Sequence, residues 1–116
     1  MKSTENDVKL NPYKMLCRYH VPIHNWEAFK HLLIAHCKLL QELEVVIELF
    51  QVQNVENPKG EIQCAEFIVW KSKESFETAK QDPRVLKVWE PMAKLCETLP
   101  SKPSMFFDAV KDVSHD

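Results

Sequence analysis

The residues best able to do chemistry in this chain gather at two places. Near the start, Arg18, His20 and His24 stand on either side of Pro22. Arg18 and His20 are two residues apart, so in a strand they share one face. A histidine beside an arginine at a pocket rim can hold or deprotonate an acidic hydroxyl, whereas two histidines on an open surface do neither. Pro22 lies between His20 and His24 and rules out the helical spacing that makes a metal pair. Further on, His36 sits in an apolar stripe. It is there either a hydrogen-bonded core residue or a pocket acid–base group kept neutral by desolvation. His31 falls off the stripe and is expected at the surface.

Trp26, Trp70 and Trp89 can stack on a flat aromatic compound or fill the core. Glu48, Glu66 and Asp108 fall inside apolar segments. A buried carboxylate needs a partner, and Arg18 is the cation at hand for an interstrand or cross-dimer pair. Cys17, Cys37, Cys64 and Cys96 are widely spaced with no C-x-x-C pair. They read as reduced, mostly buried small hydrophobes, and no metal site is expected. One glycine in the whole chain leaves nothing to build a phosphate-cradling loop, and no Ser-His-Asp signature exists.

These residues need elements to hold them. Tyr13 to Val21 is aromatic and β-branched and stops at Pro22, which predicts a first strand. Asn25 is a good helix cap with Glu27 in the first turn. The helix predicted from Trp26 to Leu43 carries Phe29, Leu32, Leu33, His36, Leu40 and Leu43 on one face. A second strand is expected over Val45–Gln53 and a third over Ile62–Trp70, with a loose turn at Asn54–Gly60 between them. Ser72 caps a short helix over Lys73–Lys80. Asp82-Pro83 starts another, whose stripe runs Val85, Trp89, Met92, Cys96, Leu99, with a break expected near Lys87–Glu90 because of Pro91. A last strand is expected over Ser104–Val110. The order βαββαβ predicts an α+β, ferredoxin-like sandwich with an antiparallel sheet, occupying residues 12–111 between polar tails at 1–11 and 112–116.

The strands are apolar on both sides. Phe50, Val52, Phe67, Val69 and Phe106 cannot share a face with Ile47, Leu49, Ile68 and Phe107. One side goes under helices, and a second copy of the chain is the simplest cover for the other, so a homodimer is expected. With 116 residues, 45% of them hydrophobic, a single self-sufficient domain follows. The net charge of −2 supplies no field for nucleic acid or an anionic membrane. No run is long and apolar enough for a membrane span, and the polar N-terminus lacks a leader pattern, so a cytoplasmic location is expected.

The stretch from Phe67 to Phe76, an apolar strand ending in Trp70 and then Ser72, Glu74 and Phe76 opening a short helix, resembles the antibiotic biosynthesis monooxygenase-like family of the dimeric α+β-barrel superfamily. The Val21-Pro22 strand end, the Asn25 helix start and the Asp82-Pro83 break fit the same plan over roughly residues 13 to 110. The resemblance implies a barrel-forming dimer with a pocket between each sheet and its helices. It implies a cofactor-independent monooxygenase-like enzyme, binding a small planar aromatic or quinol-type compound whose anion reacts directly with dioxygen. His36 or His20 would be the base and Arg18 would steer the oxyanion. Trp70, Tyr19, Phe67 and Trp89 would contact the substrate. The chain departs from the family where Ala79 is followed by Lys80 rather than His. Leu16 to Tyr19 holds no Asn, so haem degradation is not expected. The alternative is a non-catalytic, homodimeric small-molecule-binding or stress-associated module of the same fold.

Overall fold

The computed structural model describes residues 11–54, 60–99, 102–103 and 105–113. Residues 1–10 of the expected tail at 1–11, the turn residues 55–59, Pro100, Ser101, Ser104 and residues 114–116 of the expected tail at 112–116 lie outside the described residues. Strand β1 spans Tyr13–Pro22, helix α1 Trp26–Glu42, β2 Val46–Gln53 and β3 Glu61–Trp70. Helices α2 (Lys73–Gln81) and α3 (Pro83–Leu95) follow. Then come two short strands, β4 (Glu97–Leu99) and β5 (Lys102–Pro103), and finally β6 (Met105–Val110). The main sheet has the order β2-β3-β1-β6 with every pairing antiparallel, the arrangement of a ferredoxin-like sandwich. None of the described helices is long and apolar enough to cross a membrane.

Local signals account for most element ends. Ser72 Oγ accepts from Ser75 N at 3.0 Å, and Asp82 Oδ1 accepts from Arg84 N at 2.8 Å, so both predicted caps form. Asn25 behaves differently. A short 3₁₀ turn over Ile23–Asn25 leaves Asn25 helical itself (φ −101, ψ −1) and its side chain caps nothing. Its Nδ2 donates instead to Leu95 O at 3.1 Å, tying the start of α1 to the end of α3.

Pro91 does not break α3, which runs through it to Leu95. Proline removes one donor, from the carbonyl of solvent-exposed Lys87, while buried Val85, Trp89 and Met92 hold the helix down on both sides. Nor does the stripe reach Leu99. Cys96 ends the helix and Glu97–Leu99 is extended, as the residue before a proline prefers to be.

The core lies between the sheet and the helices. Met15, Cys17, Tyr19 and Val21 of β1 and Cys64, Glu66, Ile68 and Trp70 of β3 all face it. They meet Phe29, Leu33, His36 and Leu40 of α1, Phe76 and Ala79 of α2, and Val85, Trp89 and Met92 of α3. Each large apolar side chain buried here contributes roughly 1.5–3 kcal/mol. The opposite sheet face is open, with Phe50, Val52, Phe67 and Phe106 at 48%, 58%, 37% and 41% exposure. Ile47, expected under the helices, is exposed as well. The register shifts between Val46 and Glu48, so Val46 takes the place opposite Trp70 and Ile47 is left in the bulge.

Candidate functional site

Glu66 is the centre of the only buried ionisable cluster found among the described residues. It lies mid-strand on β3, in register with Cys17 of β1 and Gln51 of β2. Alternation along β3 sends it to the helix side with Cys64 and Ile68. Tyr19 stands two residues along β1 from Cys17 on the same face. The stripe Phe29, Leu33, His36, Leu40 lowers His36 onto the sheet, and α3 brings in Trp89.

The Glu66 carboxyl is fully buried and surrounded by donors. Tyr19 Oη donates to Oε1 at 2.5 Å, and Gln51 Nε2 donates to Oε2 at 2.8 Å. His36 Nε2 lies 3.0 Å from both oxygens, and the Cys37 thiol reaches Oε2 at 3.7 Å. Behind the histidine, Trp89 Nε1 is 2.8 Å from His36 Nδ1. An indole N–H can only donate, so Nδ1 must be a lone pair and the ring hydrogen must sit on Nε2. His36 is therefore a neutral donor to Glu66, and their contact is a hydrogen bond rather than an ion pair.

Burial opposes the Glu66 charge. The hydrogen bond from His36, the positive charge that imidazole carries when protonated, and the hydrogen bonds from Tyr19 and Gln51 together outweigh it and hold the carboxyl below its usual range. With His36 neutral, donors from Tyr19, His36 and Gln51 still face both carboxyl oxygens, so Glu66 is an ionised carboxylate with no lysine or arginine bonded to it among the described residues. Burial first, and then the Glu66 charge, push the Tyr19 hydroxyl well above its ordinary value, so it stays a donor. The same two causes push the Cys37 thiol up to about 12. All four cysteines are free, and Cys37 is the least buried of them.

Of the residues singled out in the sequence, the structure brings His36, Tyr19 and Trp89 together around Glu66. Arg18, His20 and Phe67 face the other side of the sheet. Arg18 pairs with Asp108 at 3.1 Å and lies over the Phe106 ring at 5.0 Å, whereas Glu66 takes no part in that pair. His20 Nδ1 is 3.7 Å from Glu61, and Phe67 stacks on Phe50 at 5.6 Å. Trp70 is fully buried against Phe76, 5.1 Å between centroids, with its indole N–H unpartnered among the described residues. Gln51 and Cys37 were not legible as site residues. The register of β2 against β3, which sets Gln51 opposite Glu66, is the signal that finds Gln51, whereas Cys37 is placed by its position next to His36 on α1.

A cleft of about 290 Å³ opens beside this network between α1 and the β2–β3 edge. Trp26, Leu33 and Ile34 form its apolar walls, and Cys37, Gln51 and Cys64 its polar side. A second cleft of about 350 Å³ lies around Arg18, His20, Val52 and Gln63. Its two basic side chains already face Asp108 and Glu61.

His36 Nε2, Cys37 Sγ and a Glu66 oxygen lie within 4.8 Å of one another. The sequence spacing of the cysteines gave no hint of such a cluster. The donor set does not fit a metal as arranged, because a metal on Nε2 needs its lone pair. The hydrogen would then move to Nδ1 and confront the Trp89 N–H, which has no lone pair to offer.

No protein-family model matches this chain, and no curated protein matches it by sequence. Solved structures do. Rv0793 from Mycobacterium tuberculosis has 14% identity and a TM-score of 0.70, covering 90% of this chain and 97% of its own. A mutant of SnoaB from Streptomyces nogalater, a cofactor-independent oxygenase, has 13% identity and a TM-score of 0.66, covering 89% and 94%. A protein from Nitrosomonas europaea, provisionally described as an antibiotic biosynthesis monooxygenase, has 13% identity and a TM-score of 0.68, covering 90% and 93%. The likeness read from the Phe67–Phe76 junction is thereby met at the level of the fold.

Proposed function

We propose that this chain is a homodimeric, monooxygenase-like enzyme that binds a small planar aromatic or quinol-type compound in the cleft between α1 and the β2–β3 edge. The carrying observation is the ionised Glu66, one side chain behind the polar side of an apolar-walled cleft. A buried charge without a cation is a cost the fold alone does not require. Charge placed so is what proton abstraction from a bound hydroxyl uses. Cys37 touches both the cleft and Glu66, so a substrate proton can pass to its sulfur while its own passes to the carboxylate. The negative charge then moves onto the substrate, whose electron-rich anion reacts with dioxygen. The fold shared with SnoaB supports this chemistry. In this reading His36 orients Glu66 and is not the base, because both of its nitrogens are engaged.

The open sheet face supports the dimer, since a second copy would cover Phe50, Val52, Phe67 and Phe106. Four free thiols suit a cytoplasmic setting. A second reading, a non-catalytic binding module, is favoured by the crowding of Glu66, whose donors hold its proton affinity down.

Oxygen uptake with an aromatic hydroquinone, corrected for spontaneous oxidation, separates the two. The enzyme reading expects protein-dependent uptake that falls about a hundredfold in Glu66→Gln, the usual scale for loss of a general base. Binding without any uptake above background leaves the module.

A further inference from the structure

The orientation of Gln51 limits what the cleft can hold. Its Nε2 is 2.8 Å from Glu66 Oε2 and 2.8 Å from Cys37 Sγ, which uses both amide hydrogens. An ionised carboxylate only accepts, so the amide cannot turn over without setting oxygen against oxygen. Oε1 is the group left for a ligand, and no described residue donates to it.

Charge points the same way. His36, Tyr19, Gln51 and Cys37 are all neutral, so they do not cancel the charge on Glu66. Lys30, at the rim of the cleft, is 3.5 Å from Glu27. Beside Glu66 the cleft therefore offers an acceptor backed by negative charge, the Gln51 carbonyl, between the apolar walls of Trp26, Leu33 and Ile34, while the Gln53 amide and Lys30 lie elsewhere on its lining.

We infer that Gln51 makes the cleft selective for ligands whose polar end is a neutral hydrogen-bond donor, a phenol or hydroquinone hydroxyl. It disfavours the acceptor-only and anionic counterparts: aryl ethers, quinones and aryl carboxylates. Of a reduced and oxidised pair, the reduced member is held and the oxidised one let go. This rests on the reading of the cleft as the ligand site.

Titration calorimetry of the full chain at neutral pH with 2-naphthol, 2-methoxynaphthalene and 2-naphthoate tests it. These three differ only at the polar end. The naphthol is expected to bind about tenfold tighter than the ether, the scale of one partly shielded hydrogen bond, and the carboxylate weakest of all. Gln51→Met keeps the chain length and removes the carbonyl. It should reduce the naphthol preference to under about threefold, with binding of the ether retained. If that variant does not fold, the ranking on the unaltered protein still decides. Ile34→Trp, at an exposed position, should fill the cleft and abolish binding of the naphthol. Equal binding of all three, or preference for the ether or carboxylate, overturns the inference and leaves the cleft reading standing. Naphthol binding that survives Ile34→Trp also overturns it, because the preference then arises elsewhere. If none of the three binds the unaltered protein, both the inference and the cleft reading fail.

Discussion

Trp89→Phe tests the claim that His36 is a neutral donor held in one tautomer. The indole N–H meets Nδ1 at 2.8 Å with both residues buried. Phenylalanine keeps a ring in place but removes the donor. Nδ1 is then a buried acceptor with no partner, which costs about 1–3 kcal/mol. The lost portion of the indole ring adds roughly 1–2 kcal/mol of apolar burial. A total of about 2–5 kcal/mol is a large part of the 5–15 kcal/mol typical of a whole domain. The two parts separate in a cycle with His36→Phe, where only the ring portion should remain. The coupling between the two sites is expected at about 1–3 kcal/mol. Urea unfolding at one fixed protein concentration measures it, since a dimer's stability shifts with concentration. Nitrogen-15 NMR of His36 gives an independent reading, with Nδ1 expected unprotonated and Nε2 protonated. A coupling below about 0.5 kcal/mol, or a proton found on Nδ1, would refute the reasoning.

Acid should destabilise the protein through Glu66. Its folded pKa is depressed, so its contribution is complete above the unfolded carboxylate value of about 4.3 and fades as pH falls through the folded value. Unfolding midpoints against pH should slope downward there, and the slope should flatten in Glu66→Gln. Tyr19→Phe deletes the 2.5 Å bond to Oε1 and should cost about 1–3 kcal/mol in urea unfolding, because it takes a donor from a buried charge. Phe67→Glu on the open face should give a monomer by light scattering, with little change in the circular dichroism of the fold. Arg18→Ala breaks a half-exposed pair with Asp108 and should change stability by less than about 1 kcal/mol.

The element order was legible because each boundary had a local cause: Pro22 ending β1, Ser72 and Asp82 capping helices, Trp70 closing β3. The departures arose where a local rule met a tertiary one. Pro91 removes one hydrogen bond from α3, but three buried side chains hold that helix. Asn25 is a good cap by type, yet a preceding 3₁₀ turn gave it a helical backbone and sent its amide to Leu95. Ile47 followed the right alternation until a bulge shifted the count by one. The site was less legible than the fold because it depends on register. Cys64, Glu66, Ile68 and Trp70 alternate along one strand, which is enough to place Glu66 on the core face. Nothing local reveals that Gln51 stands opposite it, or that His36 rather than Arg18 is its partner.

The identity of that partner decides what the site can do. Had Arg18 faced Glu66, the pair would be neutral overall and would offer a ligand no net field. Arg18 instead belongs to the opposite face, because it alternates with Cys17 and Tyr19, both of which are buried. His36 cannot take its place as a cation while Trp89 donates to it, since an imidazolium has no lone pair left for the indole. The two hydrogen bonds of His36, one accepted at Nδ1 and one donated from Nε2, therefore keep one negative charge in the core beside the cleft. Proton transfer from a bound hydroxyl to Glu66 would relocate that charge without adding another, which is easier in a desolvated site than creating a new ion there. Tyr19, His36 and Gln51 work against the transfer by stabilising the carboxylate. The balance between these effects separates a catalyst from a binding site, and substituting Tyr19 or Gln51 shifts it toward proton uptake by Glu66.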